Sequence, residues 1–138
     1  MRTINKIILH CTDTPAGREH DIDDIRKWHV EGNGWSDVGY HFLIKINGDI
    51  ETGRGLDVVG AHTKSHNKDS IGIAYVGGRN EEGDAEDTMT LKQNLSMIRL
   101  INSLKTIFGN LEICGHNEFS TKACPSFKVK QKYQFLID

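Results

Sequence analysis

The stretch Asn5-Lys6-Ile7-Ile8-Leu9-His10-Cys11-Thr12-Asp13-Thr14-Pro15 carries the first decision about the fold. Its apolar centre, bounded by polar residues, reads as a strand buried in a sheet from Asn5 to His10. Thr12 to Thr14 end it, and Pro15 and Gly17 mark a loop. A side chain at such a strand end is held by the sheet yet reaches polar surroundings, a position suited to chemistry.

Working outward, Asp21 to about Glu31 reads as a helix, with Asp21 as N-cap and Asp24 as the answering acid of a capping box. Gly39 to Ile46 (GYHFLIKI) reads as a second strand, and Asn47-Gly48 as a tight two-residue hairpin turn returning through Asp49-Ile50-Glu51. Val58-Val59 reads as a short strand or turn. Ser70 to Val76 (SIGIAYV) reads as a further buried strand. The acidic run within Arg79 to Asp87 reads as a solvated loop. Thr90 to Phe108 reads as the long helix, with a Thr90–Gln93 capping box, Gly109 at its end, and Leu91, Leu95, Ile98, Ile101 and Leu104 as its core face. Leu111 to Cys114 is another strand, and Val129 to Ile137 a short closing helix with Val129, Tyr133 and Leu136 inward. The expected class is α/β: one domain over residues 1–138, with a mixed central β-sheet flanked by α-helices.

Composition agrees with a globular chain: 138 residues, 37% hydrophobic and 26% charged, formal net charge -2. The near-balance of charge argues against a nucleic-acid partner. The apolar stretch Ile7–Leu9 is too short for a signal peptide or a membrane span, so the expectation is synthesis in the cytoplasm and no stable membrane insertion. Walker phosphate loops, dinucleotide fingerprints and HExxH helices do not occur in the sequence. The three cysteines, Cys11, Cys114 and Cys124, are expected to be reduced, and one of them to have a chemical task.

Two imidazoles and a thiolate form one accepted donor set for catalytic zinc, which takes three protein ligands and leaves a position for water. His10 ends a strand, His116 follows another, and Cys124 lies in the next loop beside Pro125. Spacing alone leaves Cys114 as a competitor, because it shares a side with His116 if the strand continues. Lys122, two residues before Cys124, can aim an ammonium at a developing oxyanion, and Tyr40 can offer its hydroxyl. The loop from His62 to His66 can line a cleft, with His62 as a candidate substrate contact; Asn67 and Trp35, and beyond them Ser70, Trp28 and Arg54, are further candidates.

These residues sit in blocks that resemble the zinc-dependent N-acetylmuramoyl-L-alanine amidases of the bacteriophage lysozyme type, related in fold to peptidoglycan recognition proteins. The blocks are IRKWH (Ile25–His29), GWSDVGYHFLIK (Gly34–Lys45), GAHTKSHN (Gly60–Asn67), SIGIAYVGG (Ser70–Gly78) and GHNEFSTKACPSF (Gly115–Phe127). The resemblance implies one Zn2+ held by His10, His116 and Cys124, with Tyr40 and Lys122 catalytic and Cys114 structural. It implies hydrolysis of the amide between the lactyl group of N-acetylmuramic acid and L-alanine, and so lysis of the bacterial wall by an endolysin of phage or prophage type. The wider fold also includes modules that bind peptidoglycan without cleaving it. They commonly lack the cysteine, which this chain keeps. A thiol hydrolase with Cys124 as nucleophile and His116 as base is the third reading. The chain departs from the common pattern at Ser126, where many relatives have glycine, and at Asn117-Glu118, where Arg-Asp is common. The expected partner is peptidoglycan in the periplasm or wall. A monomer is expected, with a separate membrane-permeabilising protein to release it.

Overall fold

The computed structural model describes residues 1–137. Its elements run β1 (Lys6–Cys11), β2 (Thr14–Pro15), α1 (Ile22–Lys27), β3 (Phe42–Ile44), β4 (Ile50–Thr52), β5 (Ser70–Tyr75), β6 (Gly78–Arg79), α2 (Leu91–Phe108), β7 (Glu112–Gly115) and α3 (Val129–Lys132). Five strands form a sheet in the order β4-β3-β5-β1-β7. Only β4 runs antiparallel to its neighbour, so the central sheet is mixed. β2 and β6 pair in parallel as a separate ribbon.

The two faces of the sheet follow from the period-two alternation of strand side chains. On β1, Ile7, Leu9 and Cys11 enter the larger core, as do Ile71, Ile73 and Tyr75 on β5 and Ile113 on β7. Met97, Leu100, Ile101 and Leu104 of α2 cover this face, with Val129, Tyr133 and Leu136 beside them. The opposite face carries Ile8 and His10 on β1, and Ser70, Gly72 and Ala74 on β5. Ala74 joins Ile22 and Ile25 of α1, Val38, Leu43 and Val76 in a second, smaller core. The small residues of β5 on that face leave room for side chains from the loops. A Cβ on Gly72 would stand 2.5 Å from the His62 ring.

The capping boxes at Asp21–Asp24 and Thr90–Gln93 are both present. Three local expectations are corrected. The helix begun at Ile22 loosens into a π-turn at Trp28–Gly32 instead of running on regularly. The hairpin after β3 has a three-residue loop, Ile46 to Gly48. Gly48 N–H bonds Lys45 O at 2.8 Å, Lys45 N–H bonds Asp49 O at 2.9 Å, and Gly48 takes φ 92. A type I turn closed by a left-handed glycine produces this loop in place of the expected two-residue primed turn.

The core face of α2 is also rotated from its expected position. Leu91 and Leu95 are exposed, and Gln93, Met97, Leu100, Ile101 and Leu104 are buried. Gln93 explains the rotation. Its Nε2 donates to Ile44 O at 3.2 Å and Val76 O at 2.9 Å, capping carbonyls at the ends of two strands. Buried carbonyls demand partners; Ile44 O also accepts from Val76 N–H at 3.0 Å, and this amide supplies Val76 O. Val58 closes a turn, its N–H bonding Gly55 O at 2.9 Å, and both Val58 and Val59 are exposed. Among the described residues, no helix is long and apolar enough to cross a membrane.

Candidate metal centre

β1 delivers His10 at the C-terminal end of the sheet, buried to 1% exposure. β7 pairs with β1 up to Leu9–Gly115, so His116, one residue further, stands beside His10. Their ring centroids are 4.6 Å apart. Cys124 comes from the loop before α3. Its Sγ lies 3.8 Å from His10 Nδ1 and accepts a bond from Cys11 N–H at 3.2 Å. The donor atoms of His10, His116 and Cys124 all lie within 4.8 Å of one another. Tetrahedral ligands at 2.0–2.3 Å from zinc stand about 3.5 Å apart, close to the His10–Cys124 separation.

Two further observations fit a cation. His116 Nδ1 is, among the described residues, the only buried side-chain nitrogen or oxygen without a hydrogen-bond partner. Orphaned buried polar atoms are costly unless something meets them. Both imidazoles are also held neutral, as ligands must be. Burial, then His62 and His116, push His10 well below its ordinary value. Burial, then Lys122, lower His116. The Cys124 thiol is pushed up by its hydrogen bond with the Cys11 side chain and by burial, so binding a cation has to displace its proton.

Cys114, the competing thiol, stays out of the cluster. It pairs with Ile8 rather than standing level with His10. Its Sγ lies 3.1 Å from Glu112 Oε1, and burial pushes it up to about 12.

The cluster lies in a groove with two lobes of about 460 and 700 Å³ that share Trp35, Ala61, His62, His116 and Lys122. Tyr40 and Cys124 line the first lobe, and Asn67 the second. The Tyr40 ring is 5.2 Å from that of His10. Burial, then the sulfurs of Cys124 and Cys11, raise its phenol, which therefore keeps its proton. Lys122 is exposed and lies on both lobes.

The expected substrate contacts fall differently. Trp35 borders both lobes and packs against His29 at 4.8 Å. Asn67 uses its Oδ1 on the backbone N–H groups of His62 and Thr63, at 2.9 and 2.8 Å. His62 is 8% exposed, and both its ring nitrogens meet protein groups: His10 and Thr63 at Nδ1, Ser70 at Nε2.

The sequence reading misses several groove residues. His29 accepts from Gly39 N–H at 2.9 Å and packs on Tyr40 at 5.3 Å. Its place in the IRKWH block is the available signal. Asp13, at φ 60, pairs with Arg79 at 2.7 Å on the rim of the first lobe. No local pattern marks that pair, because β2 and β6 bring it together. Ser126, by contrast, takes a positive φ of 74, the conformation in which a departure from glycine matters.

Comparison with known proteins fits this geometry. The pattern of the N-acetylmuramoyl-L-alanine amidase family (Amidase_2) matches residues 1–127. The endolysin of Klebsiella phage KP32 is 38% identical over 130 residues, covering 94% of this chain and 85% of that protein. The endolysin of Escherichia phage T7 is 38% identical over 128 residues, covering 93% and 84%. Among solved structures, the N-acetylmuramoyl-L-alanine amidase LysC from Clostridium intestinale superimposes with a TM-score of 0.82 at 27% identity, covering 99% of this chain and 88% of that one. Bumblebee PGRP-SA gives 0.81 at 29% identity, covering 97% and 82%. With nearly the whole chain matched in sequence and in fold, this protein belongs to the N-acetylmuramoyl-L-alanine amidase family.

Proposed function

We propose that this protein is a zinc-dependent endolysin that hydrolyses the amide between the lactyl group of N-acetylmuramic acid and L-alanine in peptidoglycan. The observation that carries the reading is the convergence of His10, His116 and Cys124 donor atoms within 4.8 Å on the wall of an open groove. These three residues would hold the ion. When bound, zinc supplies a lowered water pKa and Lewis-acid polarisation of a carbonyl.

The reaction adds water across the amide: hydroxyl to the lactyl carbonyl carbon, proton to the leaving nitrogen of L-alanine. The chain's own groups match the charges that develop. Lys122 lines both lobes, and its ammonium would meet the negative charge growing on the carbonyl oxygen. Tyr40 keeps its phenol proton and so acts as a neutral donor that orients water or substrate beside His10. The two lobes, with Trp35 bordering both, offer room for a substrate with a glycan part and a peptide part.

The test is product analysis. Zinc-loaded protein incubated with intact peptidoglycan should release free stem peptides beginning with L-alanine and leave the glycan chains uncut, as read by mass spectrometry. Shortened glycans with stems attached would overturn the bond assignment. Binding without products at full zinc occupancy would instead establish a recognition module.

A further inference from the structure

The groove face of β5 carries a buried polar chain that the proposed chemistry does not use. It runs from His66 O through Ser70, His62 and Thr63 to His10. We infer that Ser70 and His62 are positioning residues that fix the proton order on His10, so that His10 Nδ1 is held bare and aimed at the metal. This rests on the reading of His10 as a ligand.

The argument starts at the far end. Ser70 is fully buried, and its hydroxyl donates to His66 O at 2.7 Å. A serine hydroxyl has one proton, and this bond takes it. Toward His62 Nε2, 3.3 Å away, Ser70 Oγ offers only lone pairs, so His62 carries its proton on Nε2. His62 Nδ1 is then an acceptor, as a neutral imidazole has one N–H. It lies 2.9 Å from His10 Nε2. Two lone pairs at that distance would repel, so His10 Nε2 holds the proton and donates it. The neutral His10 ring is left with a lone pair on Nδ1, the nitrogen 3.8 Å from Cys124 Sγ.

Thr63 is compatible with the same order. Its Oγ1 lies 3.2 Å from His10 Nε2 and 3.0 Å from His62 Nδ1, so it can share the His10 N–H as acceptor and the His62 lone pair as donor. The His62 ring has little freedom to turn away. It is seated against Gly72 and Gly60, where any Cβ would collide with it, and its backbone N–H is pinned by Asn67 Oδ1 at 2.9 Å. Outer groups that fix the tautomer and orientation of a ligating histidine commonly contribute 10–100-fold to metal affinity.

Two measurements test this, and neither needs enzymatic turnover. In nitrogen-15 NMR of the metal-free wild type, His62 and His10 should both appear as Nε2–H tautomers. A Nδ1–H tautomer at either position overturns the inference. Zinc affinity from chelator competition should fall by about 10–100-fold in His62→Leu. It should be largely recovered in His62→Asn, whose Oδ1 returns an acceptor near the position of Nδ1. Packing alone would not be restored by the smaller polar side chain. A His62→Leu variant that binds zinc within twofold of a tightly binding wild type overturns the inference and leaves the metal site standing. A wild type that takes up no zinc overturns the metal-site reading itself, a separate result.

Discussion

The backbone N–H of Cys11 donates to Cys124 Sγ at 3.2 Å, tying the last residue of β1 to the loop that precedes α3. The neighbour of His10 in sequence thus holds the sulfur that faces His10 across the site. N–H donors favour the anionic form of an acceptor, so this bond helps the thiol give up its proton to a cation. Replacing Cys124 with Ala should abolish stoichiometric zinc together with activity. Replacing Cys114 with Ala, which removes a sulfur packed on Glu112, should leave about one zinc per chain. Metal content by mass spectrometry separates the two, and loss of zinc in the Cys114 variant would mean the wrong sulfur has been assigned.

Lys122 should separate binding from turnover. Its side chain is exposed and lines both lobes of the groove. Lys122→Ala should retain zinc and lower kcat by about 10²–10³-fold, the usual loss for one oxyanion partner. Zinc content and steady-state rates on soluble wall fragments check both halves. An unchanged kcat would remove Lys122 from the chemistry.

Chelation gives the sharpest contrast with a thiol mechanism. A nucleophilic Cys124 would work without metal, and preferably as a thiolate. Here its bond with the Cys11 side chain and its burial outweigh the Cys11 backbone N–H and hold the thiol protonated when no cation is present. Metal-free protein should therefore be inactive and regain activity on adding zinc. Wall turbidity assays before and after chelation decide it, and chelator-resistant turnover would favour the thiol.

The sequence makes the frame of the site legible and hides its interior. Ile7–Leu9 and Ile71–Ile73 declare their strands by their apolar residues. Asp21 and Thr90 declare helix starts by side chains that answer a specific backbone need. Strand ends then locate His10 and His116 before any contact is known. The face of α2 is not legible because Gln93 is polar yet buried: its amide is consumed by Ile44 and Val76 carbonyls that are far away in sequence. His62 reads as a loop histidine open to ligand for the same kind of reason. Its surroundings, GAHTKSH, are polar, while its burial comes from the empty space above Gly72 on another element. Local pattern reports what a residue prefers, and tertiary pairing decides what it gets.

Gln93 supplies a stability test of that point. Gln93→Ala takes this donor from Val76 O, while Ile44 O keeps the Val76 N–H at 3.0 Å, and it removes the side-chain oxygen that accepts from Thr90 N–H at 3.0 Å. Unsatisfied buried groups cost about 1–3 kcal/mol each. The variant should lose on the order of 1–3 kcal/mol in urea unfolding while its zinc content stays unchanged. A loss below about 0.5 kcal/mol would mean Val76 O finds another partner.

Acid should weaken the metal-free fold before its carboxylates titrate. Burial pushes His41 down to about 4 and His62 down to about 3, and lowers His10 well below its ordinary value. In the unfolded chain these rings titrate near 6.5. Between about pH 6.5 and 4 the unfolded state therefore binds protons that the folded state refuses. Stability is complete above about 6.5 and drains away as pH falls toward the folded values. His41 alone contributes on the order of 2–3 kcal/mol of this loss, because each pH unit separating its folded and unfolded titration is worth about 1.36 kcal/mol. Asp37 and Asp69, both lowered, add their own loss only below about pH 4. Urea unfolding of the metal-free protein at about pH 7 and about pH 4.5 should differ by several kcal/mol. Equal stabilities would show that these imidazoles accept protons without leaving their partners, which the bonds of His41 do not allow. Its Nδ1 accepts from Gly72 N–H at 3.0 Å, and a proton there would set donor against donor in the middle of the sheet.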